Sequence, residues 1–177
     1  MSAAAIAPAP PPVADPGILR LLEGIADPEI PAVSIVDLGI VREIAVEGGR
    51  LTVTLTPTYS ACPAIDLIVA TVVDTMRRAG HDADVRLRLA PAWSTDWITP
   101  GGRARLEAYG IAPPGAAAVP EASPLRFHPR RVAQHAPACP RCKSEDTEQL
   151  SAFGSTACKS LWRCRACREP FDYFKPL

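Results

Sequence analysis

Thr56-Pro57-Thr58-Tyr59-Ser60-Ala61-Cys62-Pro63-Ala64 is the stretch that decides the fold, because it joins two segments of different periodicity. Before it, apolar residues alternate with threonines over residues 51–56, which is typical of a strand with one buried face. After it, apolar residues recur at helical spacing over residues 65–79. The stretch therefore predicts a strand-to-helix connection. Since proline suits the first helical position, we expect Pro63 to begin the helix and Cys62 to cap it.

Cys62 is the candidate reactive side chain of this connection. At a helix N-terminus a thiol lies near unpaired N–H groups and the positive end of the helix dipole, which lower its pKa from a usual value of about 8.5. The thiolate form attacks electrophiles and binds soft metals. The hydroxyls of Thr58, Tyr59 and Ser60 are placed to bond a thiolate or a metal–sulfur species. The alternative is a small buried apolar side chain, the ordinary role of a lone cysteine.

Segments on either side extend the connection into a small domain over residues 14–112. Residues 1–13 are almost entirely alanine and proline, and we expect a disordered leader there. The chain then predicts, in order, a helix capped by Asp15, a hairpin of strands at 40–46 and 50–56, the Cys62 helix, and a strand near 85–89. The expected fold class is therefore α+β, an α-β-β-α-β sandwich with helices over one face of a three-stranded sheet.

Two acidic motifs precede the hairpin. In Asp27-Pro28-Glu29-Ile30-Pro31, two prolines forbid a helix and hold two carboxylates on a stiff connector, and a simple turn is the alternative interpretation. Asp37 interrupts an apolar run, and it either caps a turn through its own backbone or faces Cys62 across a site. Sequence leaves both interpretations of Asp37 open.

Trp93 and Trp97 stand four residues apart in a proline-bounded, hydroxyl-rich segment. They form either a plug in the core or an aromatic lid over a site, and we favour the lid. A short helix follows and stops at Gly110. The alanine- and proline-rich residues 113–134 then predict a linker.

Residues 135–177 carry two Cys-x-x-Cys pairs, Cys139 with Cys142 and Cys164 with Cys167, separated by 21 residues. This spacing delivers four thiolates to one tetrahedral metal and predicts a zinc ribbon with a structural zinc ion. Iron or an iron–sulfur cluster is the alternative occupant. We expect Cys158 to be structural or free. The ribbon either stabilises the chain or docks a partner.

Charge and composition exclude several classes of function. Residues 1–125 carry 9 Lys/Arg against 14 Asp/Glu, and residues 126–177 carry 10 against 5. An acidic main domain argues against nucleic acid as the partner. No apolar run reaches the ~18 residues of a membrane span, so we expect no membrane partner. Paired cysteines without a secretory signal indicate a reducing compartment, and we expect a cytoplasmic protein.

Three motifs carry a resemblance to a known family: Asp27-Pro28-Glu29, Asp37-Leu38-Gly39, and Thr56 followed six residues later by Cys62-Pro63. Together they resemble the iron–sulfur cluster assembly domain family. The further segments 91–98 and 110–114, followed by the ribbon, are similar to the D subunits of the phenylacetyl-CoA ring-1,2-epoxidase system. This resemblance covers residues 15–177. Ala61 departs from it, since many relatives have glycine there.

The resemblance implies an accessory subunit in aerobic phenylacetate degradation. The chain has no Glu-x-x-His pair for a di-iron centre and no dinucleotide fingerprint, so we expect no catalytic centre of its own. The implied role is transfer of iron or an iron–sulfur cluster through Cys62 to the oxygenase or reductase subunits, with Asp37 and Glu29 as supporting groups.

Other roles stay open at this point. The main alternative is a structural or regulatory docking subunit that transfers no metal. A thiol enzyme is a third interpretation, although no histidine lies near Cys62 in the sequence. A homodimer that shares two Cys62 thiolates across its interface is a further expectation.

Overall fold

The structure, a computed structural model, describes residues 15–60, 62–115 and 136–176. The chain divides into two units, the first ending at Tyr109 and the second beginning at Gly110. The predicted leader and residues 116–134 of the predicted linker lie outside the described residues. Each unit has its own sheet, so each is described by itself.

The first unit follows the predicted order of helix, strand, strand, helix and strand, which confirms the α+β fold class. Its elements are α1 (Pro16–Glu23), β1 (Val41–Glu47), β2 (Arg50–Leu55), α2 (Ile65–Arg78), β3 (Ala83–Leu87), a 3₁₀ turn (Thr95–Trp97) and α3 (Pro100–Ala108). The sheet order is β1-β2-β3, with β2 antiparallel to β1 and parallel to β3. None of the helices in the described ranges is long and apolar enough to cross a membrane.

The core of this unit forms between α2 and the sheet. In α2, Ile68, Val72 and Met76 are buried at intervals of four residues, as an apolar helical stripe requires. Alternate residues of β2 are buried on one face of the sheet, and α2 packs on β3 beside them. The helix ends because Gly80 adopts φ +85°, which lets the N–H of His81 bond the carbonyl of Met76 at 2.9 Å.

The predicted cap of α2 is wrong. The helix begins at Ile65 with Ala64 at the N-cap, and no side chain caps it. The N–H of Cys62 donates to the carbonyl of Tyr59 at 3.0 Å, and the N–H of Ile65 donates to the carbonyl of Cys62 at 3.3 Å. Pro63 therefore lies in a turn that precedes the helix, where its fixed φ is equally acceptable. Cys62 is therefore not the capping residue from which the helix dipole was expected to act on its thiol.

The second unit contains the predicted ribbon and begins before it, at Gly110. Its strands are β4 (Ile111–Ala112), β5 (Thr147–Ser151), β6 (Lys159–Cys164) and β7 (Pro170–Phe174), in the order β4-β7-β6-β5. The short β4 pairs with β7 in parallel, so Ile111 and Ala112 belong to this sheet. Trp162 and Tyr173 meet edge to face with their ring centroids 6.0 Å apart, and with Phe171 they form a small buried cluster. The terminal aromatic residues thus pack within the ribbon.

Trp93 and Trp97 plug the core of the first unit, so the lid interpretation is wrong. They are 5% and 9% exposed. The indole N–H of Trp93 donates to the carbonyl of Leu38 at 2.8 Å, which satisfies that polar group inside the protein. Gly39 makes room for Trp97, because a Cβ at Gly39 would lie 2.5 Å from the Trp97 carbonyl oxygen.

Gly39 provides the first testable prediction. Gly39→Ala places a side chain at φ +66° and against Trp97. We expect it to lower the free energy of unfolding by about 1–2 kcal/mol for the left-handed backbone and by about 1–3 kcal/mol more for overpacking. Gly48→Ala is the matched control, because Gly48 also has a positive φ (+58°) but its added Cβ would meet nothing within 4 Å in the described residues. Urea unfolding of both variants measures the difference. Equal losses would contradict the close packing of Trp97 on Gly39.

Candidate functional site

Two knuckles of the ribbon present the four predicted metal ligands. In the first, the N–H of Cys139 donates to the carbonyl of Ser144 at 2.9 Å, and the N–H of Lys143 donates back to the carbonyl of Cys139 at 2.9 Å. In the second, the N–H of Cys164 donates to the carbonyl of Glu169 at 3.0 Å. These bonds close each loop around its pair of cysteines.

Each knuckle contains a residue with a positive φ. Lys143 (62°) and Arg168 (65°) directly follow the second cysteine of their pairs, Cys142 and Cys167. This region is uncommon for residues other than glycine. Its recurrence at the same position in both loops indicates that the backbone is bent to turn the sulfur atoms inward.

The four sulfur atoms are spaced as a tetrahedral metal requires. The Sγ atoms of Cys139 and Cys167 are 3.8 Å apart, those of Cys142 and Cys164 are 3.5 Å apart, and all four lie within 4.8 Å of one another. Zinc–sulfur bonds of about 2.3 Å place tetrahedral sulfurs roughly 3.8 Å apart. The donor set therefore fits one metal ion, and four protein thiolates leave no position for a substrate.

Proton affinities within the cluster differ from one sulfur to the next. The backbone N–H of Cys167 donates to the sulfur of Cys164 at 3.4 Å, and this bond, together with weaker ones from Cys142, the Cys167 thiol and Ala166, lowers the pKa of Cys164 to about 7 against the effect of burial. The N–H of Glu169 acts to lower the pKa of Cys167, but burial and the neighbouring thiols raise it to about 12. A metal cation that displaces the protons allows all four sulfurs to be thiolates together.

Cys158 is separate from this cluster. It is buried at 7% exposure, and its sulfur lies 3.0 Å from the hydroxyl oxygen of Thr156. The carbonyl of Cys158 accepts the N–H of Lys175 at 2.9 Å. Its contacts are those of a structural residue, one of the two roles expected for it.

Cys158 supplies the control for the second prediction. We expect Cys142→Ser and Cys167→Ser to lose the bound metal, because a tetrahedral site with three thiolates binds far more weakly. Cys158→Ser should keep the metal content of the wild type. Elemental analysis of the purified chains after dialysis against a chelator measures this. Metal retained by the two ligand variants, or lost from Cys158→Ser, would contradict the assignment of the ligands.

Cys62 lies in a turn of the first unit whose backbone is fixed at both ends. Its N–H bonds Tyr59 and its carbonyl bonds Ile65, so the residue is held in place by the main chain. Its side chain is half-buried, whereas Tyr59 is 43% exposed and Ser60 is exposed. The turn therefore presents the thiol at the edge of the surface.

Asp37 is a scaffold residue that binds several segments of its own unit. Its carboxylate accepts the N–H of Ser34 at 3.0 Å, the hydroxyl of Thr99 at 3.2 Å, and two N–H groups of Arg105 at 3.2 and 3.0 Å. Burial raises the pKa of Asp37, but the bonds from Ser34 and the charge of Arg105 outweigh it, and the net pKa is lowered. The bond from the N–H of Ser34 closes a turn at Asp37, as one of its two interpretations expects.

Glu29 lies in a simple turn, which was the alternative interpretation of the acidic motif at residues 27–31. The carboxylate of Asp27 accepts the N–H groups of Glu29 and Ile30, each at 2.9 Å, which is an Asx turn. Asp27 is buried and Glu29 is half-buried. The turn fixes the backbone at Glu29.

The structure brings together some of the candidate residues but not all of them. In the described part of the chain, the four ribbon cysteines are the only group of three or more such side chains close enough to share one ion. Cys62, Asp37 and Glu29 form no such group within those residues. A metal at Cys62 therefore needs further ligands from outside these three side chains.

Sequence reasoning missed the partners of Asp37. Thr99 was detectable, since a threonine before Pro100 is a typical start of a helix, and its hydroxyl accepts the N–H of Gly102 at 2.9 Å. Arg105 gave no signal, because nothing local links it to a carboxylate 68 positions away. The same holds for Arg42, whose burial the sequence did not indicate.

The lowered pKa of Asp37 leads to the third prediction. Because its pKa is lower in the folded chain, its stabilising effect is present above about pH 4 and is lost as pH falls through the folded value. We expect Asp37→Asn to lower the free energy of unfolding at pH 7 by about 2–3 kcal/mol. The variant should also lose less stability than the wild type between about pH 4 and pH 2. Asp82→Asn, at an exposed carboxylate, is the control. Parallel acid profiles for wild type and Asp37→Asn would contradict this role.

Two family models match the chain. Residues 125–175 match "PaaD zinc beta ribbon domain", and residues 17–87 match "Iron-sulfur cluster assembly protein". The chain is 45% identical over 168 residues to the D subunit of "Putative 1,2-phenylacetyl-CoA epoxidase" of Escherichia coli strain K12, covering 94% of both chains.

Two further comparisons each cover about half of the chain. The chain is 35% identical over 86 residues to "Fe-S protein maturation auxiliary factor" of Porphyromonas gingivalis, and the match covers 46% of this chain and 80% of that protein. A crystal structure of a domain of unknown function, DUF59, from Bacillus anthracis is 26% identical, with a TM-score of 0.48, over 51% of this chain and 88% of that one.

Proposed function

The chain belongs to the family of D subunits of 1,2-phenylacetyl-CoA epoxidase, and we propose that it acts as an accessory subunit that carries iron or an iron–sulfur cluster on Cys62 to the oxygenase or reductase subunits. The accessory role follows from the family. Transfer through Cys62 is the further step that the proposal adds. The match of residues 17–87 to the iron–sulfur cluster assembly family supports it, because Cys62 lies within that range.

The position of Cys62 outside any group of three or more potential metal ligands in the described residues is the observation that carries the proposal. The thiol is half-buried in a turn fixed by its own backbone, and no group of three ligands forms around it in the described residues. A carrier must give up its metal, and a site with few protein ligands does so more readily than a closed one. A second copy of the chain, through its own Cys62, or a partner subunit would supply the missing ligands.

Asp37 and Glu29 have supporting roles in this proposal. The carboxylate of Asp37 accepts hydrogen bonds from Ser34, Thr99 and Arg105. In this proposal Asp37 therefore holds these parts of the first unit in position and does not bind the metal. Glu29 is held by the turn at Asp27 and is half-buried, which makes it a supporting polar group.

The ribbon serves as a structural zinc module in this proposal. Four cysteines with sulfur spacing suited to zinc hold the metal permanently, in contrast to Cys62. Its surface includes Phe153, which is 65% exposed, and Leu150, which is 49% exposed. The second candidate function is a docking subunit that transfers no metal, in which these exposed side chains would contact a partner.

Metal analysis of anaerobically purified chains tests the proposal, and it is the fourth prediction. We expect zinc in the wild type and in Cys62→Ser, and iron with acid-labile sulfide in the wild type but not in Cys62→Ser. Cys158→Ser is the matched control, because it removes a thiol outside both sites and should keep the iron. Zinc without iron in every chain after anaerobic reconstitution, or equal iron in Cys62→Ser, would overturn transfer through Cys62 and leave the docking role.

A further inference from the structure

Strand β3 is an edge of the first unit's sheet. In the described residues the strand order is β1-β2-β3, so β3 has a neighbouring strand on one side only. The N–H of Arg88 donates to the carbonyl of Leu55 in β2 at 2.9 Å. Because backbone groups point to alternate sides along a strand, those of Asp84 and Arg86 also face β2. The N–H and C=O groups that face away from the sheet belong to the alternate residues Ala83, Val85 and Leu87.

Exposed apolar side chains lie along the same edge. Leu87 is 48% exposed and Leu89 is 58% exposed. β3 contains no proline, and its pairing with β2 has no register shift, although such interruptions commonly protect an edge strand from other chains. The edge of β3 is therefore suited to pair with a further strand.

The charges of β3 and its flanking residues match those of a second copy of the same strand. Aspartates at positions 82 and 84 and arginines at positions 86 and 88 share one face, because they are two positions apart. In an antiparallel pairing with a second copy about a two-fold axis at Val85, Asp84 lies opposite Arg86. Asp82 then lies opposite Arg88. The outward N–H and C=O groups of Val85 exchange hydrogen bonds with those of Val85 in the second copy.

Other two-fold registers of β3 bring like charges together. An axis at residue 83 or 84 sets aspartates opposite each other, and an axis at residue 86 or 87 sets arginines opposite each other. In the single chain, Arg86 pairs with Asp84 at 3.1 Å. Arg88 pairs with Glu43 at 3.2 Å. Exposed ion pairs of this kind contribute little to stability, so these side chains can turn to a second copy at small cost.

A cavity beside the start of β3 faces the leucines that this pairing brings. It has a volume of about 260 Å³ and is lined by Val73, Arg77, Gly80, His81, Asp82 and Ala83. In the pairing about Val85, Leu87 of the second copy lies opposite Ala83, and Leu89 lies opposite His81. All four side chains are on the face of the sheet that α2 covers, because they share the face of Val85. The pairing therefore brings two exposed leucines beside two residues that line the cavity.

We propose that the edge of β3 is an interface between two copies of this chain, which pair antiparallel about Val85 and join their sheets into one continuous sheet. The two-fold axis is perpendicular to the sheet, so α2 of each copy lies on the same side. Each copy covers the open backbone edge and the exposed leucines of the other. This interface needs no metal and does not include Cys62, so it stands independently of the proposed transfer.

Sedimentation equilibrium of the full chain tests the interface. All chains carry Cys62→Ser, so that metal shared between two Cys62 thiolates cannot hold a dimer. We expect this parent chain to form a dimer as its concentration rises. Arg86→Asp and Asp84→Arg should each associate at least about tenfold more weakly, because each sets two like-charge pairs into a two-fold interface. Arg50→Asp, at an exposed residue of the central strand β2, should associate as the parent chain does.

A mixture of the two charge variants tests the register. Arg86→Asp leaves aspartates at both central positions of the charged face, and Asp84→Arg leaves arginines at both. We expect the mixture to form a heterodimer, since all its facing charges are opposite, and this result would also show that both variants fold. A parent chain that stays monomeric, undiminished association of either variant alone, or a mixture that forms no heterodimer would overturn the proposal.

Discussion

The carboxylate of Asp37 is the constraint on which the first unit depends. It bonds the turn at Ser34, the hydroxyl that caps α3 at Thr99, and the guanidinium of Arg105 within α3. These partners come from segments that are up to 68 positions apart in the sequence. Gly102 completes the contact, because a Cβ there would lie 2.8 Å from the Asp37 carbonyl oxygen. One buried acid therefore joins the start of the hairpin to the last helix.

The chain has two kinds of sulfur site with opposite properties. In the ribbon, four cysteines lie close enough to surround one ion and leave no open position. In the first unit, Cys62 stands in a turn and belongs to no group of three or more potential metal ligands in the described residues. A closed set suits a permanent structural metal, and an open one suits temporary binding. This contrast gives the two units separate tasks in the proposed function.

Sequence predicted the features that depend on local patterns. The alternation before Thr56, the apolar stripe of α2 and the spacing of the ribbon cysteines each arise within a few residues, and the structure has all three. The start of α2 was misplaced because Pro63 fits both a first helical position and a preceding turn. The burial of Trp97 and the partners of Asp37 depend on contacts between distant segments. No local pattern encodes such contacts, so sequence reasoning missed them.

Delivery of metal through Cys62 is the central claim, and a direct transfer experiment tests it. The chain is loaded with ⁵⁷Fe and sulfide, mixed with iron-depleted epoxidase subunits in the presence of a chelator, and separated before iron in the acceptor is counted. We expect the acceptor to gain ⁵⁷Fe from the wild type and to gain none from Cys62→Ser supplied with the same iron. Equal gains from the wild type, from Cys62→Ser and from free ⁵⁷Fe would contradict the account.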